Sequence, residues 1–116
     1  GFGDDAKRLG EYAWFDENSK MSTHPVGLKL PNDLGLFDLH GNVWEWCADG
    51  SPEYSPPQLT GGNDPFVQWQ GAALRVVRGG SWLDEARYCR SADRRAFLPA
   101  DEGGFLGFRL AAVWSR

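Results

Sequence analysis

Residues 78–94, RGGSWLDEARYCRSADR, contain the side chains with the most obvious potential for catalysis or metal binding. They include Cys89, the adjacent carboxylates Asp84 and Glu85, and Ser81 after two glycines. Neighbouring side chains of an extended segment point to opposite faces, so Asp84 and Glu85 are poorly placed to act as a paired acid and base. A serine after Gly-Gly, with no histidine at a recognisable interval, is typical of a turn. These residues therefore predict no catalytic set.

The chain has two cysteines, Cys47 and Cys89. A disulfide between them would stabilise the fold by about 4 kcal/mol, because it would close a long loop in the unfolded chain. The alternative is a pair of small buried thiols. Sequence spacing does not decide between the two.

A second polar group occurs in the stretch DLHGNVWE, where Asp38 and Glu45 flank Gly41. Calcium prefers six to eight oxygen ligands, and Gly41 permits a tight turn that directs backbone carbonyls inward. The same pattern is typical of an aspartate that caps a turn and a glutamate that faces water. His24 and His40 each stand alone, and a lone histidine is more often hydrogen-bonded or solvated than a ligand.

Length and charge limit the class of protein. The 116 residues suit a single domain, 1–116, with a modest core. The net charge of −4 is spread along the chain, which argues against nucleic acid as a partner. No segment approaches the roughly 20 apolar residues of a membrane span, and the first residues contain no signal-peptide core. The sequence indicates no cellular location.

Short extended segments are expected to position these groups. Alternation of side chains predicts strands at residues 74–78 and 106–114, an extended segment at 43–46, and a shorter extended piece at 26–30. Residues 1–20 show no sustained helical period and are expected to form a loop held by buried rings. No amphipathic helix of ten residues or more is predicted.

The motifs NDLGLFDLHGNVWEWCAD, RVVRGGSW, CRSADR and LGFRL, in this order, resemble those of the formylglycine-generating enzyme family, also called the sulfatase-modifying factor family. The resemblance covers nearly the whole chain. It implies an α+β, loop-rich fold of the C-type lectin type, with a small antiparallel sheet and tryptophan-rich packing. Family members usually carry an N-terminal half before the stretch that resembles EYAWFDENS. The chain therefore resembles a trimmed domain, or one whose missing half was lost or lies on a partner chain.

In enzymes of this family, two cysteines five residues apart follow the GGS(W/Y) element and bind copper. Asp84 stands at the first of these positions, which leaves Cys89 alone. A carboxylate is a hard ligand and a poor substitute for a thiolate on Cu(I). We therefore expect neither copper nor oxidase activity. The alternative is a copper-dependent, sulfatase-modifying oxidase that converts cysteine to formylglycine.

The resemblance also implies a structural calcium site in the DLHGNVWE stretch. Two side chains and two backbone carbonyls would supply its oxygen ligands. The residues that match this family site are Asp38, Gly41, Val43 and Glu45.

The segment from residue 83 to residue 105 mixes apolar, aromatic and charged residues without a regular period. Such a mixture is typical of a protein-binding patch on a fixed frame. It resembles the segment that is rewritten in the variable proteins of diversity-generating retroelements. The alternative is an ordinary non-catalytic family member whose loop packs on itself. The residues expected to bind a protein or another surface ligand are Leu83, Asp84, Glu85, Tyr88, Asp93, Arg95, Ala96, Phe97, Leu98 and Phe105.

Several arginines lie close to acidic residues along the chain. Backbone carbonyls of irregular segments need donors, and a guanidinium offers five. Most of these arginines are therefore expected to bond to carboxylates or carbonyls inside the fold. They are Arg75, Arg78, Arg87, Arg90, Arg94 and Arg109.

Overall fold

A computed structural model describes residues 5–51 and 74–112 of the chain. This part contains one α-helix, one 3-10 helix and four short strands. They are α1 (Ala6–Tyr12), β1 (Trp44–Gly50), β2 (Arg75–Arg78), the 3-10 helix (Ala86–Cys89), β3 (Arg94–Phe97) and β4 (Leu106–Gly107).

The four strands form one sheet in the order β3-β2-β1-β4. Strand β2 is antiparallel to both β1 and β3, whereas β4 runs parallel to β1. Most of the described chain lies outside these short elements. The predicted α+β, loop-rich fold with a small sheet is confirmed, and the β4 pairing makes that sheet mixed.

Three local predictions were wrong. Residues 6–12 form a helix, because the Asp5 side chain caps it by accepting from the Lys7 N–H at 3.0 Å. Only Leu9 of that helix is buried, so no apolar period could reveal it. Residues 26–30 form turns and bends instead of a strand, and within residues 106–112 the last strand is limited to Leu106–Gly107, while 113–114 lie outside the described residues. Residues 52–73, between β1 and β2, lie outside the described residues.

The core is small and has two parts. One part joins helix α1 to the 3-10 helix through Leu9, Ala13, Phe15 and Cys89. The other lies in the sheet, where the side chains of Trp44, Val76 and Val77 are at most 5% exposed. Because the core is small, hydrogen bonds between irregular segments must fix much of the relative position of the strands and loops.

Gly41 connects three of those segments. Its N–H donates to the carbonyl of Gly79 at 2.7 Å, while the next N–H, of Asn42, donates to the carbonyl of Trp14 at 2.7 Å. A Cβ at residue 41 would lie 2.1 Å from that Trp14 oxygen, and φ is +69°. Only glycine fits this close backbone approach. It places the start of β1 against the segment that follows helix α1.

Candidate functional site

The carboxylate of Asp84, at the position of the first copper cysteine in the resembling enzymes, is buried and hydrogen-bonded. Asp84 is 4% exposed. Its Oδ2 accepts from the indole Nε1 of Trp44 at 2.8 Å, from the Ser81 N–H at 3.0 Å, and from the Ser81 hydroxyl. Its Oδ1 lies 3.5 Å from Arg95 Nη1. Asp84 therefore lies beneath the surface to which the sequence assigned it, and it joins β1 to the GGSW turn.

Both cysteines are free thiols, so they form no disulfide; Cys89 is buried as the alternative expects, whereas Cys47 is half-buried. Cys89 is 1% exposed, and a Cβ on Gly80 would lie 2.7 Å from its Sγ. Burial, reinforced by the charge of Asp84, raises the pKa of Cys89 to about 12. Burial also raises the pKa of Cys47. Since the thiolate is the reactive and metal-binding form, both thiols are held in their inert form near neutral pH.

Arg95 lies at the centre of a partly exposed surface on one face of the sheet. Its Cζ is 4.4 Å from the ring centroid of Tyr88 and 5.1 Å from that of Trp44. Its salt bridge to buried Asp84 orients the guanidinium between the two rings. Arg87 also contacts the Tyr88 ring, since its Cζ lies 4.7 Å from the ring centroid. Arginine on aromatic faces gains cation–π energy and keeps donors free for a ligand.

Phe97 continues this face, because it lies two residues after Arg95 on the same strand. Its ring centroid is 5.9 Å from that of Phe105 and 6.5 Å from that of Trp46 on β1. Trp82 donates its Nε1 to the carbonyl of Gly104 at 3.0 Å, which ties the GGSW turn to the segment containing Phe105. We call this half-buried group the aromatic surface; it comprises Trp46, Trp82, Tyr88, Arg95, Phe97 and Phe105.

Other residues assigned to binding lie around or behind the aromatic surface. Leu83 and Leu98 are 41% and 47% exposed, and Glu85 is exposed. Ala96 lies between Arg95 and Phe97 on β3 and so points to the opposite face. Asp93 is half-buried, and its Oδ2 has no hydrogen-bond partner in the described part of the chain.

Sequence reasoning did not assign Trp46 and Trp82 to this surface. The available signal was alternation along β1, which places Trp44 and Trp46 on the same face of the sheet. The contact of Trp46 with Phe97 crosses β2, however, and local spacing cannot show which strands are neighbours.

The four residues matched to the family calcium site line one cavity of about 390 Å³, together with Arg109. The Arg109 guanidinium donates Nε to Glu45 Oε2 at 2.9 Å and Nη2 to Glu45 Oε1 at 2.8 Å. The same Nη2 donates to the backbone carbonyl of Asp38 at 2.8 Å. The bond to Glu45 raises the pKa of Arg109 above its usual value.

This arrangement does not fit a calcium ion as it stands. Both oxygens of Glu45 are bonded to Arg109, and Asp38 Oδ2 accepts from the N–H of Gly27 at 2.7 Å. Across residues 5–51 and 74–112, no three or more His, Cys, Asp or Glu side chains form a group suited to a metal. Of the two side chains that would hold the ion, Glu45 bonds to a guanidinium and Asp38 to a backbone N–H.

Several other arginines bond as the sequence predicts. Arg78 Nη1 donates to the carbonyl of Ser91 at 2.9 Å, and Arg75 Nη2 donates to the carbonyl of Ala48 at 3.3 Å. Arg87 pairs with Glu85 at 3.1 Å on the exposed surface. Arg75, Arg78 and Arg109 thus bond to backbone carbonyls or a carboxylate as expected, whereas Arg87 forms an exposed ion pair that holds no irregular backbone.

A set of apolar side chains is exposed on the segments before β1 and after β4. Val26, Phe37 and Phe108 are 78%, 43% and 75% exposed, and they line the same cavity as Glu45 and Arg109. The same two segments also expose Leu28, Leu30, Leu34, Leu36 and Leu110, and we use the name apolar patch for these eight exposed residues taken together. Large exposed apolar patches mark interaction sites more often than ordinary surface. In the described ranges, no helix has the length and apolar character needed to span a membrane.

Comparison with known proteins agrees with these features. The family described as the sulfatase-modifying factor enzyme 1-like domain matches residues 3–113. The formylglycine-generating enzyme of Streptomyces coelicolor is 46% identical over 99 residues, which cover 82% of this chain and 31% of the relative. The inactive C-alpha-formylglycine-generating enzyme 2 of Mus musculus is 36% identical over 98 residues, which cover 79% of this chain and 27% of that protein.

Among solved structures, Treponema denticola variable protein 1 matches with a TM-score of 0.71 and 39% sequence identity. The match covers 88% of this chain and 36% of that structure. The chain thus spans about a third of the length of the relatives it matches. Because the family matches residues 3–113 and the loop-rich fold with its small mixed sheet matches a solved structure at a TM-score of 0.71, this chain belongs to the sulfatase-modifying factor family and has the C-type lectin-like fold of formylglycine-generating enzymes.

Proposed function

We propose that this chain is a non-catalytic ligand-binding domain of the family, which presents the segment 83–105 to a protein or another surface ligand. The observation that supports this most is the aromatic surface itself. Tyr88, Arg95 and Phe97 are half-buried, so each is held by contacts below while part of it remains accessible. Tyrosine, tryptophan and arginine are the residues that contribute most binding energy at protein interfaces.

The non-catalytic part of the proposal rests on Asp84 and Cys89. Tight Cu(I) ligation favours two thiolates, and here the first position is a carboxylate with three hydrogen bonds inside the fold. The remaining thiol is buried, and its pKa is about 12. The alternative, a copper-dependent oxidase, draws on the 46% identity to the Streptomyces coelicolor enzyme.

The segment 83–105 is further proposed to be diversified by a retroelement. The similarity of the whole chain to Treponema denticola variable protein 1, at 39% identity over 88% of its length, supports diversification. The DNA around the gene tests it directly. We expect a near-copy of the region encoding residues 75–116, with asparagine codons at the altered positions, beside a reverse transcriptase gene. A locus without such a copy would contradict diversification while leaving ligand binding to its own test.

The proposed binding surface is tested by randomising single positions of the segment 83–105. The fraction of folded protein is then measured by resistance to protease. A display surface requires that Leu83, Glu85 and Leu98 accept most residues, because their side chains are exposed. Asp84 is the matched control inside the same segment, and we expect it to accept almost none. If Leu83 and Leu98 were as intolerant as Asp84, the segment would be packing on itself, and the binding proposal would fail.

We also propose a partner for the apolar patch: the additional part of a sulfatase-modifying factor fold, on this polypeptide or on another chain. The relatives are about three times the length of the matched region, so such sequence exists in the family. Leu34 and Leu110 are 82% and 87% exposed, which is costly for a surface that stays in water. A fold that completes the domain would bury them.

A further inference from the structure

The polar side-chain groups of the aromatic surface are hydrogen-bond donors that lie among apolar rings. They are the Arg95 guanidinium, the Tyr88 hydroxyl and the indoles of Trp46 and Trp82. A guanidinium and an indole can only donate, and within this set only the phenol can also accept. A ligand that satisfies this surface must therefore supply acceptors.

Arg95 keeps most of its donors available. Its Nη1 lies 3.5 Å from Asp84 Oδ1, whereas Nε and Nη2 bond to no acceptor among residues 5–51 and 74–112. Neither nitrogen belongs to the buried side-chain atoms that lack a partner, so both face water, and the side chain as a whole is 39% exposed. The rings of Tyr88 and Trp44 fix the orientation of the guanidinium. The surface thus presents a positioned cation with open donors.

The buried carboxylate of Asp84 makes recognition by this cation short-ranged. It lies beneath the guanidinium and offsets part of the positive charge that a distant ligand would meet. What Arg95 then offers is a planar fork of N–H donors. A carboxylate fits that fork with two oxygens, and such a bidentate pair is charge-assisted and specific in geometry. The exposed acid nearby, Glu85, is already paired with Arg87.

Phe97 supplies the apolar half of the site. It lies two residues after Arg95 on the same face of β3, so the two side chains leave the strand roughly 7 Å apart. The rings of Phe105 and Trp46 lie 5.9 Å and 6.5 Å from the Phe97 ring, and all three residues are half-buried. Alternate side chains of an extended peptide have the same spacing as Arg95 and Phe97.

From this geometry we propose that the aromatic surface binds an extended acidic segment of a partner protein, with a carboxylate on Arg95 and an aromatic side chain, two residues away, on Phe97. This inference rests on the proposed binding function and adds the chemistry of the ligand. The carboxylate accepts from the open donors of Arg95. The aromatic side chain removes the rings around Phe97 from water.

Capped tripeptides test this chemistry when they are titrated into the isotope-labelled full chain and followed by NMR. Acetyl-Glu-Ala-Phe-amide and acetyl-Phe-Ala-Glu-amide cover both directions of a bound peptide, and the same peptides with glutamine in place of glutamate are the neutral controls. We expect an acidic probe to bind with a dissociation constant of about 1 mM and to shift the Trp46 indole and the amides of Arg95 and Phe97. Its glutamine counterpart should bind about tenfold more weakly, because it cannot form the charge-assisted pair.

Arg95→Gln should weaken binding of the acidic probe by about tenfold and leave the glutamine probe unchanged. Arg95→Lys should restore little of that loss, because an ammonium is a point charge without the planar fork. Arg8→Gln is the matched control, since Arg8 also pairs with a carboxylate, of Glu11, and lies 5.8 Å from the ring centroid of Tyr12. It should bind both probes as the wild type does.

Equal binding of the acidic and glutamine probes would overturn the inference but leave the binding function in place, because the surface would then accept an apolar ligand without a charge. No shift at concentrations about tenfold above the expected dissociation constant would also overturn it. The tolerance of Leu83 and Leu98 to randomisation then judges the binding function separately. An equal loss in Arg8→Gln would contradict a site at Arg95. Should Arg95→Gln fail to fold, the comparison of acidic and neutral probes on the wild type decides.

Discussion

The indole of Trp44 donates its N–H to the carboxylate of Asp84 at 2.8 Å, across 40 residues of sequence. Both side chains are buried, at 1% and 4% exposure. The bond joins the first residue of β1 to the segment in which the oxidases of the family place a copper-binding cysteine. Where those enzymes need a soft ligand, this chain uses a hard acceptor to hold its frame together.

Replacement of Asp84 by alanine should destabilise the fold by about 3–5 kcal/mol, because each buried donor left without an acceptor costs roughly 1–3 kcal/mol. It would leave the Trp44 indole, the Ser81 N–H and the Ser81 hydroxyl without their acceptor. Urea unfolding measures the loss. Glu85→Ala is the control, since its ion pair with Arg87 is exposed and should contribute about 0.5 kcal/mol or less. Similar losses for the two variants would show that Asp84 is not structural.

Stability should fall at alkaline pH because of Cys89. Burial raises the pKa of this thiol from its ordinary value of 9.0 to about 12, so the folded chain binds the proton more tightly than the unfolded chain does. The resulting stabilisation is fully present below pH 9 and is lost as pH rises toward 12. Between these values the wild type should lose more stability than Cys89→Ala, in which no such proton is bound.

Thermal unfolding of both proteins at several pH values measures this difference, and the variant corrects for other groups that titrate in the same range. Alkylation gives a second readout. In a Cys47→Ser background, Cys89 should react with iodoacetamide at neutral pH only after the chain is unfolded. Rapid alkylation of the native protein would mean that the thiol is exposed or ionised.

The apolar patch should make the chain associate. Double substitution Leu34→Ser and Leu110→Ser removes two highly exposed leucines and should increase the monomeric fraction seen in sedimentation. Stability should change little, because neither side chain packs in the core. Lys20→Ser with Glu17→Ser, on exposed polar positions, is the control. An unchanged monomeric fraction in the leucine variant would argue against an unsatisfied interface.

The family and the small sheet could be read from the sequence, since ordered motifs and side-chain alternation mark β1 and β2 directly. Helix α1 could not, because it is held by the Asp5 cap and buries only Leu9. The pair of Arg109 and Glu45 joins residues 64 apart, and nothing in local spacing indicates it. Contacts across a sheet depend on strand order, which one short sequence does not determine.

For the segment 83–105, composition alone indicated a mixed surface, and the structure shows which of its residues meet. Strand β3 presents Arg95 and Phe97 to one face, where Arg95 lies against Tyr88 of the 3-10 helix and Phe97 lies against Phe105. Asp84 belongs to the same segment in sequence but lies beneath it. A charged residue type suggests exposure, and only the positions of Trp44 and Ser81 reveal the buried acceptor site.

The measurement that tests the central claim most directly is turnover of a cysteine-containing peptide in the presence of copper and oxygen, followed by mass spectrometry for the aldehyde. The Streptomyces coelicolor relative named formylglycine-generating enzyme is the positive control. With a buried carboxylate at residue 84 and a protonated thiol at residue 89, this chain should produce no aldehyde. Formation of more than one aldehyde product per protein molecule would show catalytic turnover and would contradict a purely binding role.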